Sequence, residues 1–139
     1  MIYVEEKDFD RQIDLLEAMS KDEEYSVCAW LYPEASAKEV AGIAIVKTDL
    51  EPVTTYGDGF KPFHTELVHL NSSYLSQFKS CQQDLIDYCD SLAIYKGKST
   101  TWAAATIGHE GMCLVRDVKK LNKLKGSGFA AATEAPSWW

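Results

Sequence analysis

The chain has little to catalyse with. Its 139 residues include three histidines, His64, His69 and His109, which leaves histidine-based chemistry few arrangements. Its four cysteines, Cys28, Cys81, Cys89 and Cys113, form no C-x-x-C pair. No G-x-S-x-G elbow, P-loop or G-x-G-x-x-G occurs, and the lone glycine pairs Gly57/Gly59 and Gly126/Gly128 read as turns. The N-terminus, Met1-Ile2-Tyr3-Val4-Glu5-Glu6, has no basic n-region, so the expectation is a cytoplasmic chain without a secretory signal. In that reducing compartment the thiols stay free, and Cys28 and Cys113, set among apolar neighbours, are expected as small buried hydrophobes. The uncharged stretch between Lys98 and Glu110 falls well short of the roughly 20 apolar residues that cross a bilayer. No internal repeat, low-complexity tract or linker divides the chain, so one domain over 1–139 is expected.

What is present is ordinary globular material, 46% hydrophobic and 25% charged, with a net charge of -7. Residues 1–70 hold fifteen acids against six bases, and residues 71–139 hold six acids against eight bases. So acidic a chain is a poor partner for nucleic acid, whose affinity comes from Lys and Arg on phosphates. It suits a basic protein partner, which an acidic surface steers into encounter.

Phe9, Ile13 and Leu16 recur at i, i+4 and i+7, which predicts an amphipathic helix over 8–19 capped by Asp8. Aromatic and β-branched runs predict strands over 25–32 and 40–47, joined closely enough to form an antiparallel hairpin. Both parities of the first run are apolar, so that strand is expected to be covered on both faces or central. A long irregular stretch over 48–62 follows, then a strand over 63–70. Asn71, Ser72 and Ser73 are helix N-cap residues, and the stripe Leu75, Phe78, Leu85, Cys89 and Leu92 predicts one long helix to about residue 93, with Asp87 and Asp90 facing out. Two β-prone runs, 100–107 and 112–115, flank Gly108 and Gly111 and predict a second hairpin, and a short helix over 117–125 leads to a tail ending in Trp138 and Trp139. The fold class expected is α+β: a mainly antiparallel sheet of about five strands against a long central helix, with an N-terminal and a short C-terminal helix.

Each candidate constellation is thin. His109-Glu110-Gly111-Met112-Cys113 is a near miss of the zinc motif H-E-x-x-H, but two glycines and flanking strands deny it the helical geometry, so no metal is expected. On a strand, His64 and Glu66 share a face that His69 does not. These two with Cys113 are the best material for an alternative reading as a small enzyme or ligand-binding domain. The basic run Arg116, Lys119, Lys120, Lys123 and Lys125 lacks the interleaved aromatics of a nucleic-acid platform. No cofactor is implied. The irregular stretch instead mixes acids with aromatic anchors, as protein interfaces do. Asp49, Glu51, Tyr56, Asp58 and Phe60 are therefore the candidate partner-binding residues, with Trp138 and Trp139 as a second patch.

The acidic segments 5–24 and 49–58, the missing signal and the missing catalytic set together resemble the small acidic cytosolic immunity proteins that bacteria pair with secreted or contact-delivered toxins. The likeness lies in the character of the whole chain, and no site residue is carried over from it. It implies a non-enzymatic inhibitor that occludes one cognate toxin, a basic one by charge, with neither nucleic acid nor membrane as partner.

Overall fold

The computed structural model of the chain describes residues 1–57 and 62–139. Among these, the elements in chain order are β1 (Ile2–Glu5), α1 (Phe9–Ser20), β2 (Tyr25–Leu31), β3 (Glu39–Val40), β4 (Ile43–Val46), β5 (His64–Thr65), β6 (Val68–His69), α2 (Ser72–Ser80), α3 (Gln82–Tyr88), β7 (Cys89–Lys96), β8 (Trp102–Ile107), β9 (Met112–Val115), α4 (Leu121–Gly126) and β10 (Ala131–Ala132). Short 3-10 turns lie at Gly108–Glu110 and Val118–Lys120.

Ten strands form one antiparallel sheet in the order β10-β1-β9-β8-β7-β2-β5-β4-β3, with β6 beside β5 on the same edge of β2. This overturns the expected five-stranded sheet on one long central helix. The longest described helix is α1, with twelve residues. The predicted helix over 71–93 breaks at Cys81, ends at Tyr88 and continues as β7, which runs beside β2 through the middle of the sheet. The helical stripe misled because Leu92 and Ile94 also sit at the two-residue period of a strand face. The chain from Cys89 onward gains more by burial between two covered faces than by one more helical turn.

The expected hairpin of β2 with β4 does not form either. β5 inserts between them, pairing through His64 with Trp30 on one side and with Val46 on the other. The second hairpin, β8 with β9, is present, closed by the Gly108–Glu110 turn and Gly111 at φ +63. α1 starts where expected, with the Asp8 carboxylate accepting from the Asp10 backbone N–H.

The sheet is covered on both faces. Ile13, Leu16 and Met19 of α1 and Leu75 and Phe78 of α2 pack on Val27, Ala29, Ile94 and Val115. Trp30, Ala93, Tyr95, Ala105 and Leu114 project the other way, onto Leu50 and Val53 of the irregular stretch. This explains the double apolar parity of β2: it is both central and covered on both sides. Trp30 donates its indole N–H to the Tyr95 hydroxyl at 2.9 Å, and that hydroxyl donates to the Glu51 carbonyl at 2.8 Å, so the second face is pinned through its polar tips.

Among the described residues, no helix is long and apolar enough to cross a membrane. The four cysteines are free, with Cys28, Cys89 and Cys113 buried and Cys81 half-buried.

Candidate functional site

The register of β7 against β2 slips between Trp30 and Leu31, which pair with Ser91 and Cys89, so Asp90 is the extra residue of a bulge. A bulge re-aims the side chain it carries. The Asp90 carboxylate, expected on an exposed helix face, is instead fully buried and turned toward the loop and the β8–β9 turn. It accepts from the Thr55 backbone N–H at 2.7 Å, from the Thr55 hydroxyl at 2.9 Å and from His109 Nε2 at 2.6 Å. A carboxylate oxygen can only accept here, so Nε2 carries the proton that bridges them. The other ring nitrogen, Nδ1, lies 3.5 Å from Glu110 Oε1, and 30% of the His109 side chain stays exposed.

His109 is one wall of a cleft of about 530 Å3 that is also lined by Tyr32, Pro33, Glu34, Ala35, Tyr56 and Asp87. The Tyr32 and Tyr56 rings meet edge to face at 6.0 Å, and the His109 ring lies 5.5 Å from Tyr32. Burial, with the Asp90 charge adding to it, pushes the Tyr32 phenol up to about 12. Tyr32 follows β2, Tyr56 comes from the irregular stretch, Asp87 from α3 and His109 from the β8–β9 turn, so four separate segments converge on one mouth. Tyr56 was anticipated for a binding surface from its loop. Tyr32, Glu34, Asp87 and the Asp90–His109 pair were not, because the signal that would have found them is the bulge.

The other anticipated residues do not share one surface. Asp49 lines a separate, more apolar cavity of about 460 Å3 with Val46, Leu50, His64, Glu66 and Leu67. Glu51 is held by Arg116. Asp58 and Phe60 lie outside the described residues. Trp138 donates from Nε1 to Glu5 Oε1 at 2.6 Å, and Trp139 stands beside Pro52, Val53 and Trp102. Both indoles lie against the chain's own surface yet remain half-exposed, at 50% and 43%.

His64 and Glu66 line that second cavity together, but Cys113 does not join them. Cys113 is on β9, four strand spacings from β5, roughly 19 Å by sheet geometry, and wholly buried. The three-residue neighbourhood read from the sequence is therefore not a site. His64 donates from Nδ1 to the Thr65 carbonyl at 2.6 Å and accepts from the Thr48 hydroxyl on Nε2 at 2.7 Å, and burial lowers its pKa from 6.5. Among the described residues, no three of His, Cys, Asp and Glu converge as metal ligands.

The charge asymmetry along the chain is partly internal. Asp14 pairs with Lys79 at 2.7 Å, Asp22 with Lys123, Glu23 with Lys96 at 3.0 Å and Lys120 at 3.8 Å, and Glu51 with Arg116. Hydrogen bonds from Tyr25 and then Lys96 hold the Glu23 carboxyl down at about 2. These pairs are mostly exposed and individually worth little. They neutralise much of the later basic helix, whereas Glu34 and Asp87 at the cleft form no ion pair among the described residues.

Comparison of the chain with protein-family models, with curated proteins and with solved structures finds no match.

Proposed function

We propose that the chain is a non-enzymatic, protein-binding inhibitor of the immunity type, acting in the bacterial cytoplasm, that neutralises a basic cognate toxin by occluding it. One observation carries the reading: a cleft with two tyrosine rings at its walls and the carboxylates of Glu34 and Asp87 at its lining, on a chain of net charge -7. Aromatic anchors beside unpaired charge are what interface centres use, and the net charge speeds encounter with a basic surface. Asp90 and Thr55 make the cleft rigid in advance, which lowers the ordering cost of binding.

The test is calorimetry with the product of an adjacent toxin-like gene, together with an assay of that toxin. Tight binding and loss of toxin activity are expected, and no binding to the neighbour ends the proposal. The double substitution Glu34→Lys and Asp87→Lys is expected to slow association at least tenfold at low salt, with the effect fading as salt rises.

A second reading, acid–base catalysis, rests on the Asp90–His109 contact, because a buried carboxylate orienting an imidazole is how a general base is held. The described lining of the cleft offers no serine, threonine or cysteine for that base to activate, and the Tyr32 phenol resists ionisation. Under this reading His109→Ala abolishes an activity, whereas under the inhibitor reading it leaves toxin binding in place.

A further inference from the structure

We infer that the apolar cavity beside His64 binds a small zwitterion with an apolar body, either a free apolar amino acid or a short apolar peptide. The site lies apart from the Tyr32 cleft, and the inference does not depend on the inhibitor reading.

The cavity encloses about 460 Å3, in the range of sites that take a small ligand. Val46 and Leu50, both half-buried, and the exposed Leu67 give it an apolar lining. The buried His64 ring forms one wall, its centre 4.6 Å from that of Trp30. Its Nε2 accepts from the Thr48 hydroxyl at 2.7 Å, and the Glu51 backbone N–H donates to the Thr100 carbonyl at 2.9 Å. These bonds tie the 48–51 segment to β5 on one side and to the turn after β7 on the other. The cavity is thus formed before a ligand arrives, which lowers the ordering cost of binding.

Three charged side chains line it, from three segments: Asp49 after β4, Glu66 between β5 and β6, and Lys98 in the turn after β7. All three are exposed, and among the described residues none makes an ion pair or a side-chain hydrogen bond. A zwitterion answers each chemistry in turn. Its ammonium meets Asp49 and Glu66, its carboxylate meets Lys98, and its apolar body covers Val46, Leu50 and Leu67. An uncharged apolar molecule would desolvate the three charges without pairing them. An anion would meet two carboxylates, and a simple amine would meet the Lys98 ammonium.

The experiment titrates the whole chain, labelled with nitrogen-15, with L-leucine and with L-leucyl-L-leucine. N-acetyl-L-leucine, which lacks the ammonium, L-leucinamide, which lacks the carboxylate, and glycine, which lacks the apolar body, serve as comparisons. Millimolar binding of leucine or the dipeptide is expected, with shifts confined to residues 46–50, 64–67 and 97–100. The tighter of the two identifies the length of the ligand. Each blocked leucine is expected to bind about threefold more weakly than leucine, as the loss of one exposed ion pair allows, and glycine to leave the spectrum unchanged. Lys98→Gln is expected to weaken leucine by a similar factor and to leave leucinamide no weaker. Asp49→Asn with Glu66→Gln is expected to weaken leucine and to leave N-acetyl-leucine no weaker. All three side chains are exposed, so these variants keep the wild-type spectrum away from the cavity. No shift with either zwitterion, shifts scattered away from the cavity, a blocked leucine that binds as tightly as the free one, or an equal response to glycine each overturn the inference.

Discussion

His109 donates from Nε2 to the buried Oδ1 of Asp90 at 2.6 Å, joining the β8–β9 turn to a bulge in the central strand β7. The same carboxylate takes both Thr55 donors, so one side chain ties a turn, a strand and a loop together. Truncating it as Asp90→Ala strands those donors beside a cavity and is expected to cost about 2–4 kcal/mol. His109→Ala, with part of its ring in solvent, is expected to cost about 1 kcal/mol. Urea denaturation of both variants checks the ranking, and a more damaging His109→Ala would reverse it.

Tyr95 both accepts from the Trp30 indole and donates to the Glu51 carbonyl. Tyr95→Phe leaves a buried indole N–H without its acceptor, and a loss of about 1–3 kcal/mol is expected, read as a lower urea midpoint at unchanged slope. A change below a few tenths of a kcal/mol would mean that the face is held by packing alone.

His64 is kept neutral by burial, with its folded pKa lowered from 6.5. Below pH 6.5 the unfolded chain takes up this proton while the folded chain resists it, so the unfolded state binds more protons. Stability from this group is therefore complete above pH 6.5 and falls as pH is lowered toward the folded pKa. His64→Gln is expected to flatten the stability curve between pH 6.5 and the carboxylate range relative to wild type. Parallel curves for the two proteins would show that His64 does not contribute to that dependence.

Burial raises the pKa of the Cys28, Cys89 and Cys113 thiols, Cys89 to about 12, which suppresses the reactive thiolate. Cys81 sits half-exposed at the break between α2 and α3. Ellman's reagent is expected to find one fast thiol in the native chain, removed by Cys81→Ser, and four after unfolding. Two thiols reacting at the same rate would contradict this burial.

Gly111 closes the β8–β9 turn at φ +63, and a Cβ there would stand 3.0 Å from Lys7 Cγ. Its carbonyl also accepts from the Glu6 backbone N–H at 2.8 Å, which anchors the end of β1. Gly111→Ala is expected to cost about 1–2 kcal/mol. A thermal midpoint equal to wild type would show that the turn absorbs the methyl group.

Local signals were legible where local forces decide the structure. The cap at Asp8 and the stripe Phe9, Ile13 and Leu16 placed α1, and Gly108 and Gly111 placed the second hairpin. The doubly apolar β2 was read as central or covered on both faces, and it is both. The cleft was not legible, because Tyr32, Tyr56, Asp87 and His109 lie far apart in the chain. A helical stripe continued through Cys89 and Leu92 and hid the strand that carries Asp90. Burial of β1 between β9 and β10, with only two residues in β10, has no sequence period long enough to see.

By itself the sequence determined the composition of the molecule: its acidity, its apolar supply for a two-faced sheet, and the caps and turns that nearest neighbours set. Those depend on residues within one or two turns of one another, where side-chain chemistry acts directly on the backbone. The tertiary structure alone decided which charges cancel inside the chain, which strand lies beside β2, and that a bulge points Asp90 at His109. Strand order and register are settled by the burial of both faces of the whole sheet at once, a free energy that no single segment carries.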